Sequence, residues 1–217
     1  MSQENLLKKP QHLLLKYTKF INKMTKLILA SKSKVRKEIL DKYDIPSQVK
    51  VSNLDETAVK QSLLKENASP EVISKNLAEL KANKVSHNNE SYLVLGADSV
   101  IDIDGELISK PENRDEAFII LKKLNGKKHL LISSVCISKN GNMIWNYTDK
   151  AELTMKNMSD DELKLYLSKI SDEDLFAYNV YQIEGEGRSL FKKIKGNENT
   201  IMGLPIEKIK DYLKNYE

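Results

Sequence analysis

The chain is poor in the residues that most often carry specialised chemistry. Its 217 residues include one cysteine, three histidines and one tryptophan. A single cysteine cannot close an internal disulfide, which fits the reducing cytoplasm. Neither it nor His12, His87 and His129 falls at zinc-ligand spacing. Cys136 lies within the apolar run 130–137, where a buried inert thiol is expected rather than a nucleophile. There is no Gly-rich phosphate loop of the Walker or dinucleotide type, and no serine stands in a nucleophile elbow. No apolar run is long enough to span a bilayer, so no membrane partner is expected.

What remains is an ordinary globular composition, 40% hydrophobic and 30% charged, long enough to bury a sizeable core. The net charge of +4 is unevenly placed: residues 1–50 hold twelve Lys/Arg against four Asp/Glu. A basic end can attract nucleic acid or another polyanion, or it can be a solvated tail. Leu6, Leu7, Leu13, Leu14, Leu15, Phe20 and Ile21 follow a weakly amphipathic helical pattern, without the apolar stretch and cleavage site of a secretory signal. Residues 1–23 read as a basic N-terminal extension. Met24 directly precedes the first strand pattern, so 24–217 reads as the folded domain.

From there the punctuation is that of an α/β domain. A short apolar strand over 26–30 leads to Ser33, a plausible N-cap for a helix through Val35, Ile39 and Leu40. Strand character returns at 49–51, before Asp55-Glu56, and a long helix is expected over 70–85. Another covers 112–124, with Ala117, Ile120, Leu121 and Leu124 on one face and Gly126 past its end. Two neighbouring strands follow, over 130–137 and 143–153. Ser159 and Glu162 have capping-box spacing before a helix carrying Leu163, Leu165 and Leu167, and a last helix begins near Pro205. There are no repeats and no low-complexity linker.

Residues 93–111 are the most informative. Leu93-Val94-Leu95-Gly96-Ala97 reads as a strand buried on both faces that ends at Asp98. Asp104-Gly105 then sits between two apolar-alternating runs, a strong hairpin signal, and the chain returns toward Lys110-Pro111. A carboxylate at the end of a buried strand, with a cation close by, is where open α/β sheets place chemistry, although the same residue can simply cap a turn. Near other expected strand ends stand Ser31, Ser33, Arg36, Glu56, Lys81, Lys110 and Glu184. Carboxylates with several cations suit a hydrated magnesium-type ion and a phosphorylated substrate. Taken singly, each is more often a surface charge.

In order along the chain, these segments resemble one family. Ala30-Ser31-Lys32-Ser33-Lys34-Val35-Arg36, followed by Ile39-Leu40, is similar to the opening Ala-Ser-x-Ser-Pro-Arg-Arg-x-x-Leu-Leu of Maf proteins. Asp55-Glu56 resembles their acidic pair, Leu77-Ala78-x-x-Lys81-Ala82 their Leu-Ala-x-x-Lys-Ala helix, and Gly96-Ala97-Asp98-Ser99-Val100 their Gly-Ala-Asp-Thr-Val. Lys110-Pro111, the segment from Tyr181 to Gly187, and Met202-Gly203-Leu204-Pro205 match the remaining signatures. The resemblance runs from about Met24 to the end. It implies an α/β fold of the Maf/ITPase-like kind, a mixed sheet flanked by helices with a hairpin after the central strand. It further implies a nucleoside triphosphate pyrophosphatase that yields a nucleoside monophosphate and pyrophosphate, in a family that often forms homodimers.

By the same resemblance Asp98 is the proton acceptor. An ordinary aspartate, with a pKa of about 3.9, is a weak base near neutrality. Asp98 is therefore expected to act with Mg2+ or Mn2+, as ligand or as base, with Glu56 completing the carboxylate ligands. Arg36, Lys81 and Lys110 would hold phosphate oxygens, with Ser31 or Ser33 as neutral donors. The departures concern substrate choice: Val35 replaces the first arginine, Ser99 the threonine and Glu184 the glutamine that the dTTP/UTP-preferring branch associates with specificity. They lean toward the branch acting on 7-methyl-GTP, with Glu184 accepting from a guanine edge and Val35 forming an apolar wall. Ser133-Ser134 replaces the usual Thr-Gly and is expected to alter only packing. Two rivals remain. A nucleic-acid-binding module is disfavoured by the lack of aromatics among the N-terminal lysines. A catalytically idle division-control protein is disfavoured by the retention of Asp98, Glu56, Lys81 and Lys110.

Overall fold

The computed structural model describes residues 26–216, so the N-terminal extension and its boundary at residue 24 lie outside the described residues. The elements are β1 (Leu27–Leu29), α1 (Lys34–Lys42), β2 (Ser47–Val49), α2 (Glu56–Lys65), α3 (Pro70–Ser86), β3 (Leu93–Ile103) and β4 (Glu106–Ile108). They continue with α4 (Arg114–Leu124), β5 (Lys128–Lys139), β6 (Asn142–Met155), α5 (Asp160–Ser168), α6 (Asp172–Tyr178), β7 (Phe191–Lys195), α7 (Glu198–Ile201) and α8 (Ile206–Tyr216). The seven strands form one mixed sheet in the order β2-β1-β3-β5-β6-β7, with β4 also paired to β3. The expected α/β architecture with a hairpin after the central strand is what the chain adopts. Asp104 and Gly105 make its turn, both at positive φ (54° and 86°).

The longest strands set the site. β1 runs parallel to β3 only from Leu93 to Leu95, and β4 pairs with it only from Ile101 to Ile103. β5 covers the opposite edge of β3 from Val94 to Asp102. Between Gly96 and Val100 one edge of the central strand therefore has no strand beside it. Asp98 stands in that gap, mid-strand. The sequence reading ended the strand at Asp98 because a carboxylate breaks the apolar run. β3 continues because β5 goes on pairing with it, and the gap gives the carboxylate somewhere to point.

Alternation along β3 separates two faces. Leu93, Leu95 and Ala97 join Leu27, Leu29, Val35, Ile39, Leu40 and α8 residues Ile206 and Ile209 in one core cluster. Gly96 and Asp98 lie on the other face, against α3. That helix begins at a Ser69 N-cap with Pro70 in its first turn, and buries Ile73, Ser74, Leu77, Ala78, Lys81, Ala82 and Val85 at helical spacing. Cys136 packs with Ala78 and Ala82, and burial pushes its thiol up to about 11, as an inert sulfur requires. A second, larger cluster fills the space between the far half of the sheet and α4, α5 and α6.

Other expectations shift. β2 starts at Ser47, earlier than the 49–51 reading, and α4 starts at Arg114 behind an Asn113 cap. The capping box of Ser159 and Glu162 forms as the spacing implies. α2, α6, β7 and α7 were not anticipated. α2 buries no residue, so no apolar stripe announces it. Among the described residues no helix is long and apolar enough to cross a membrane.

Gly96 is the tightest point of the helix–sheet contact. A Cβ there would lie 2.1 Å from the Ala78 carbonyl oxygen and 2.7 Å from the Ala82 nitrogen, both backbone atoms that cannot swing aside. Gly96→Ala should therefore lower the unfolding free energy by about 1–3 kcal/mol in denaturant titrations, through overpacking. An unchanged midpoint and slope would show that α3 does not bear on the strand at this point.

Candidate active site

The site is assembled on both faces of β3, beginning with the turn that follows β1. The Ser33 amide donates to Ser31 Oγ at 3.2 Å, and Ser33 Oγ in turn accepts from the Arg36 amide at 3.4 Å, capping α1. The cap aims Arg36 inward. Its Nε donates to the Gly203 carbonyl at 3.0 Å, Nη1 to Ala97 O at 2.9 Å and Ser31 Oγ at 3.3 Å, and Nη2 to Ser99 Oγ at 3.0 Å. Burial lowers the affinity of this guanidinium for its proton, while Asp98 and Glu56 act in the opposite sense. Val35 is not gathered here. It is 4% exposed and sits in the core with Leu29 and Leu95.

Ser99 continues a directed chain. Ser133 Oγ donates to the Thr200 carbonyl at 2.7 Å, so in its 2.8 Å contact with Ser99 it must accept. Ser99 thus donates to Ser133 and accepts from Arg36, leaving its proton committed within the protein. Thr200 is itself held by a bond from its Oγ1 to Asp149 at 2.6 Å. Ser133, expected to affect packing only, is a polar link one residue from Arg36.

On the opposite face Lys81 joins two carboxylates. Its Nζ lies 2.8 Å from Asp98 Oδ1 and 2.9 Å from Glu56 Oε2. Lys81 and Asp98 are both buried, at 6% and 5% exposure, and Ser74 Oγ donates to the Asp98 carbonyl at 3.2 Å. Glu56 opens α2 behind Asp55, whose side chain accepts from the Ala58 amide at 3.0 Å. Burial alone would raise the Glu56 carboxyl. Lys81, by charge and hydrogen bond, with Lys60 and Arg36 behind it, holds it below the usual range. Asp98 Oδ2 is buried and has no hydrogen-bond partner among the described residues. A buried carboxylate oxygen left bare is costly, and marks a position where a proton, a water or a cation belongs.

Lys110 comes off the hairpin toward the same cluster. The residue is exposed as a whole, but desolvation of its ammonium, then repulsion from Arg36 and Lys60, pushes it down to about 8 against the pull of Glu56 and Asp98. Glu184 is exposed, and its Oε1 accepts from Gln182 Nε2 at 3.3 Å. Its segment is anchored by a 2.9 Å bond between Tyr181 and buried His129, but no contact draws Glu184 itself to Asp98. Among the described residues no group of three or more His, Cys, Asp or Glu side chains gathers as a metal site.

A family profile described as Maf-like protein matches residues 26–216, the whole of the described chain. The chain belongs to the Maf family. A curated member from Pelagibacter ubique, named nucleoside triphosphate pyrophosphatase, is 67% identical over 87% of this chain and 96% of its own length. A Brucella abortus member named 7-methyl-GTP pyrophosphatase is 35% identical over 83% of this chain and 91% of its own. Among solved structures, one described as a nucleoside-triphosphatase / dITP/XTP pyrophosphatase from Mycobacterium abscessus aligns with 86% of this chain and 90% of its own. Its TM-score is 0.42 at 11% identity, too distant to carry an argument about the site.

The sequence reading did not name Ser74 or Thr200, gave Ser133 only a packing role, and matched Gly203 to a signature without a role for its carbonyl. Gly203 sits at φ 96°, and a Cβ there would meet Ser99 Oγ at 3.0 Å and Arg36 Nε at 3.2 Å.

The Lys110 shift makes a pH-dependent prediction. A lysine held at about 8 in the folded chain, below its unfolded value, costs stability while charged, and that cost is relieved as pH rises from 8 toward the unfolded value. For an anionic ligand the sense reverses. The charged form holds it, so kcat/KM for a nucleotide substrate should fall as pH rises through about 8. Lys110→Arg should move that limb to higher pH, and an unmoved limb would assign it to another group.

Proposed function

We propose that this chain is a nucleoside triphosphate pyrophosphatase, hydrolysing the bond between the α and β phosphates to release a nucleoside monophosphate and pyrophosphate. The observation that carries the reading is Asp98 Oδ2, a buried carboxylate oxygen with no partner among the described residues, beside the Lys81 ammonium. The name of the 67% identical relative supports the same reaction. Water must attack the α-phosphorus in line while negative charge builds on the leaving pyrophosphate. Lys81 fixes Oδ1, so Oδ2 is the atom left to receive the water's proton. Lys110 and the Ser31-Ser33 turn would bind phosphate oxygens, while Arg36, whose donors are held by Gly203, Ala97, Ser31 and Ser99, adds its charge from behind.

Two carboxylates and a bare oxygen also fit a divalent ion of the Mg2+ or Mn2+ class, which takes one or two protein carboxylates and completes its shell with phosphate and water. Asp98 and Glu56 would hold it, and when bound it supplies charge neutralisation and a more acidic water.

The finer reading, a preference for 7-methyl-GTP-like substrates over dTTP and UTP, draws support from Glu184 in place of the usual glutamine and from the similarity to the Brucella members of that name. The burial of Val35 does not supply the apolar wall that this reading first gave it.

A panel of nucleoside triphosphates including 7-methyl-GTP, dTTP and UTP, assayed with Mg2+ or Mn2+ for pyrophosphate release, tests both levels. Release from at least one triphosphate is expected, with Asp98→Asn lowering turnover by at least about a hundredfold while unfolding cooperatively. Near-normal turnover in folded Asp98→Asn removes Asp98 from its role. Faster dTTP than 7-methyl-GTP hydrolysis overturns the base preference alone.

A further inference from the structure

Most of the charge around Asp98 is already committed within the protein. Arg36 donates to Gly203, Ala97, Ser31 and Ser99, and Lys81 bridges Glu56 and Asp98. A triphosphate carries several negative charges, and these two cations cannot meet them without giving up bonds they already make. Lys60 is placed differently. It stands one helical turn after Glu56 on α2, at the i,i+4 spacing that puts both on one face. Glu56 fixes that face over Lys81, because the two side chains touch at 2.9 Å. Lys60 is half-buried, and among the described residues no hydrogen bond or ion pair holds its ammonium. Its charge acts on both Glu56 and Lys110. α2 buries no residue, so core packing does not explain why its first turn sits over Lys81.

We infer that Lys60 on α2 is a phosphate-binding residue that, with Lys110, clamps the terminal phosphates of the substrate and the pyrophosphate they become. The inference rests on the pyrophosphatase reading. It assigns α2 a purpose: one face brings Glu56 to the reacting end of the substrate and Lys60 to the leaving end. Lys65 on the same helix is exposed and has no such placement.

The test uses the full chain and the variants Lys60→Ala, Lys60→Arg and Lys65→Ala. Inorganic pyrophosphate is titrated calorimetrically with Mg2+ present, and KM and kcat are measured on the best triphosphate of the panel. Losing one charge-assisted bond should weaken pyrophosphate binding and raise KM by at least about tenfold in Lys60→Ala. Inhibition by the nucleoside monophosphate should not change, Lys60→Arg should recover most of the loss, and Lys65→Ala should match the wild type. An active wild type whose Lys60→Ala variant keeps its pyrophosphate affinity and KM overturns the clamp. Equal losses in Lys65→Ala overturn it too, because the effect would then be diffuse charge. A wild type that hydrolyses no triphosphate yet binds pyrophosphate through Lys60 sinks the pyrophosphatase reading and leaves the anion site standing.

Discussion

The close approach of α3 to β3 at Gly96 is the contact on which the site depends. With only a hydrogen on the strand, the helix backbone at Ala78 and Ala82 can press directly against the sheet, and small side chains there keep the gap narrow. Lys81 lies between those two alanines in sequence and is carried to Asp98 by the same contact. A larger residue at 96 would push the helix outward and separate an ammonium from the carboxylate it neutralises. Both groups are buried, so that separation would leave two charges without partners, a much greater cost than the loss of an exposed ion pair.

The second constraint is an interruption in the sheet. β1 stops beside Leu95 and β4 does not begin pairing until Ile101, leaving part of the central strand's edge to side chains. Asp98 points to one face and Ser99 to the other, so one strand segment serves two groups of residues. Lys81 and Glu56 meet Asp98 from α3 and α2, while Arg36 meets Ser99 from α1 and is steadied by Ser133, Thr200 and Gly203. Arg36 and Asp98 still influence each other across the gap. The site is in this sense a hole in a sheet, lined by residues that replace the missing strand.

Much of this was readable in the chain. The apolar run ending in Gly96-Ala97-Asp98, the Asp104-Gly105 turn, the Ser33 cap and the spacing of α3 all carry local signals, and each appears in the fold. What escaped has a common cause. The run 100–103 reads as strand by its alternation, but that it continues β3 unbroken through Asp98 is decided by β5, some thirty residues later. Ser133 looked like packing because its partners, Ser99 and Thr200, come together only when distant segments meet. α2 has no buried stripe, so its one informative residue was Glu56. Val35 sits in a motif position tied to specificity, yet helix periodicity turns it into the core while Arg36 faces the cleft.

In the proposed reaction Asp98 directs water at the α-phosphorus, while Lys60 and Lys110 receive the pyrophosphate. Hydrolysis in 18O-labelled water reads that division directly, because the oxygen that attacks stays on the phosphorus it attacks. Mass spectrometry of the two products should find the label in the nucleoside monophosphate and none in the pyrophosphate. Label in the pyrophosphate would mean attack at the β-phosphorus, and would contradict the proposed role of Asp98 at the α-phosphate.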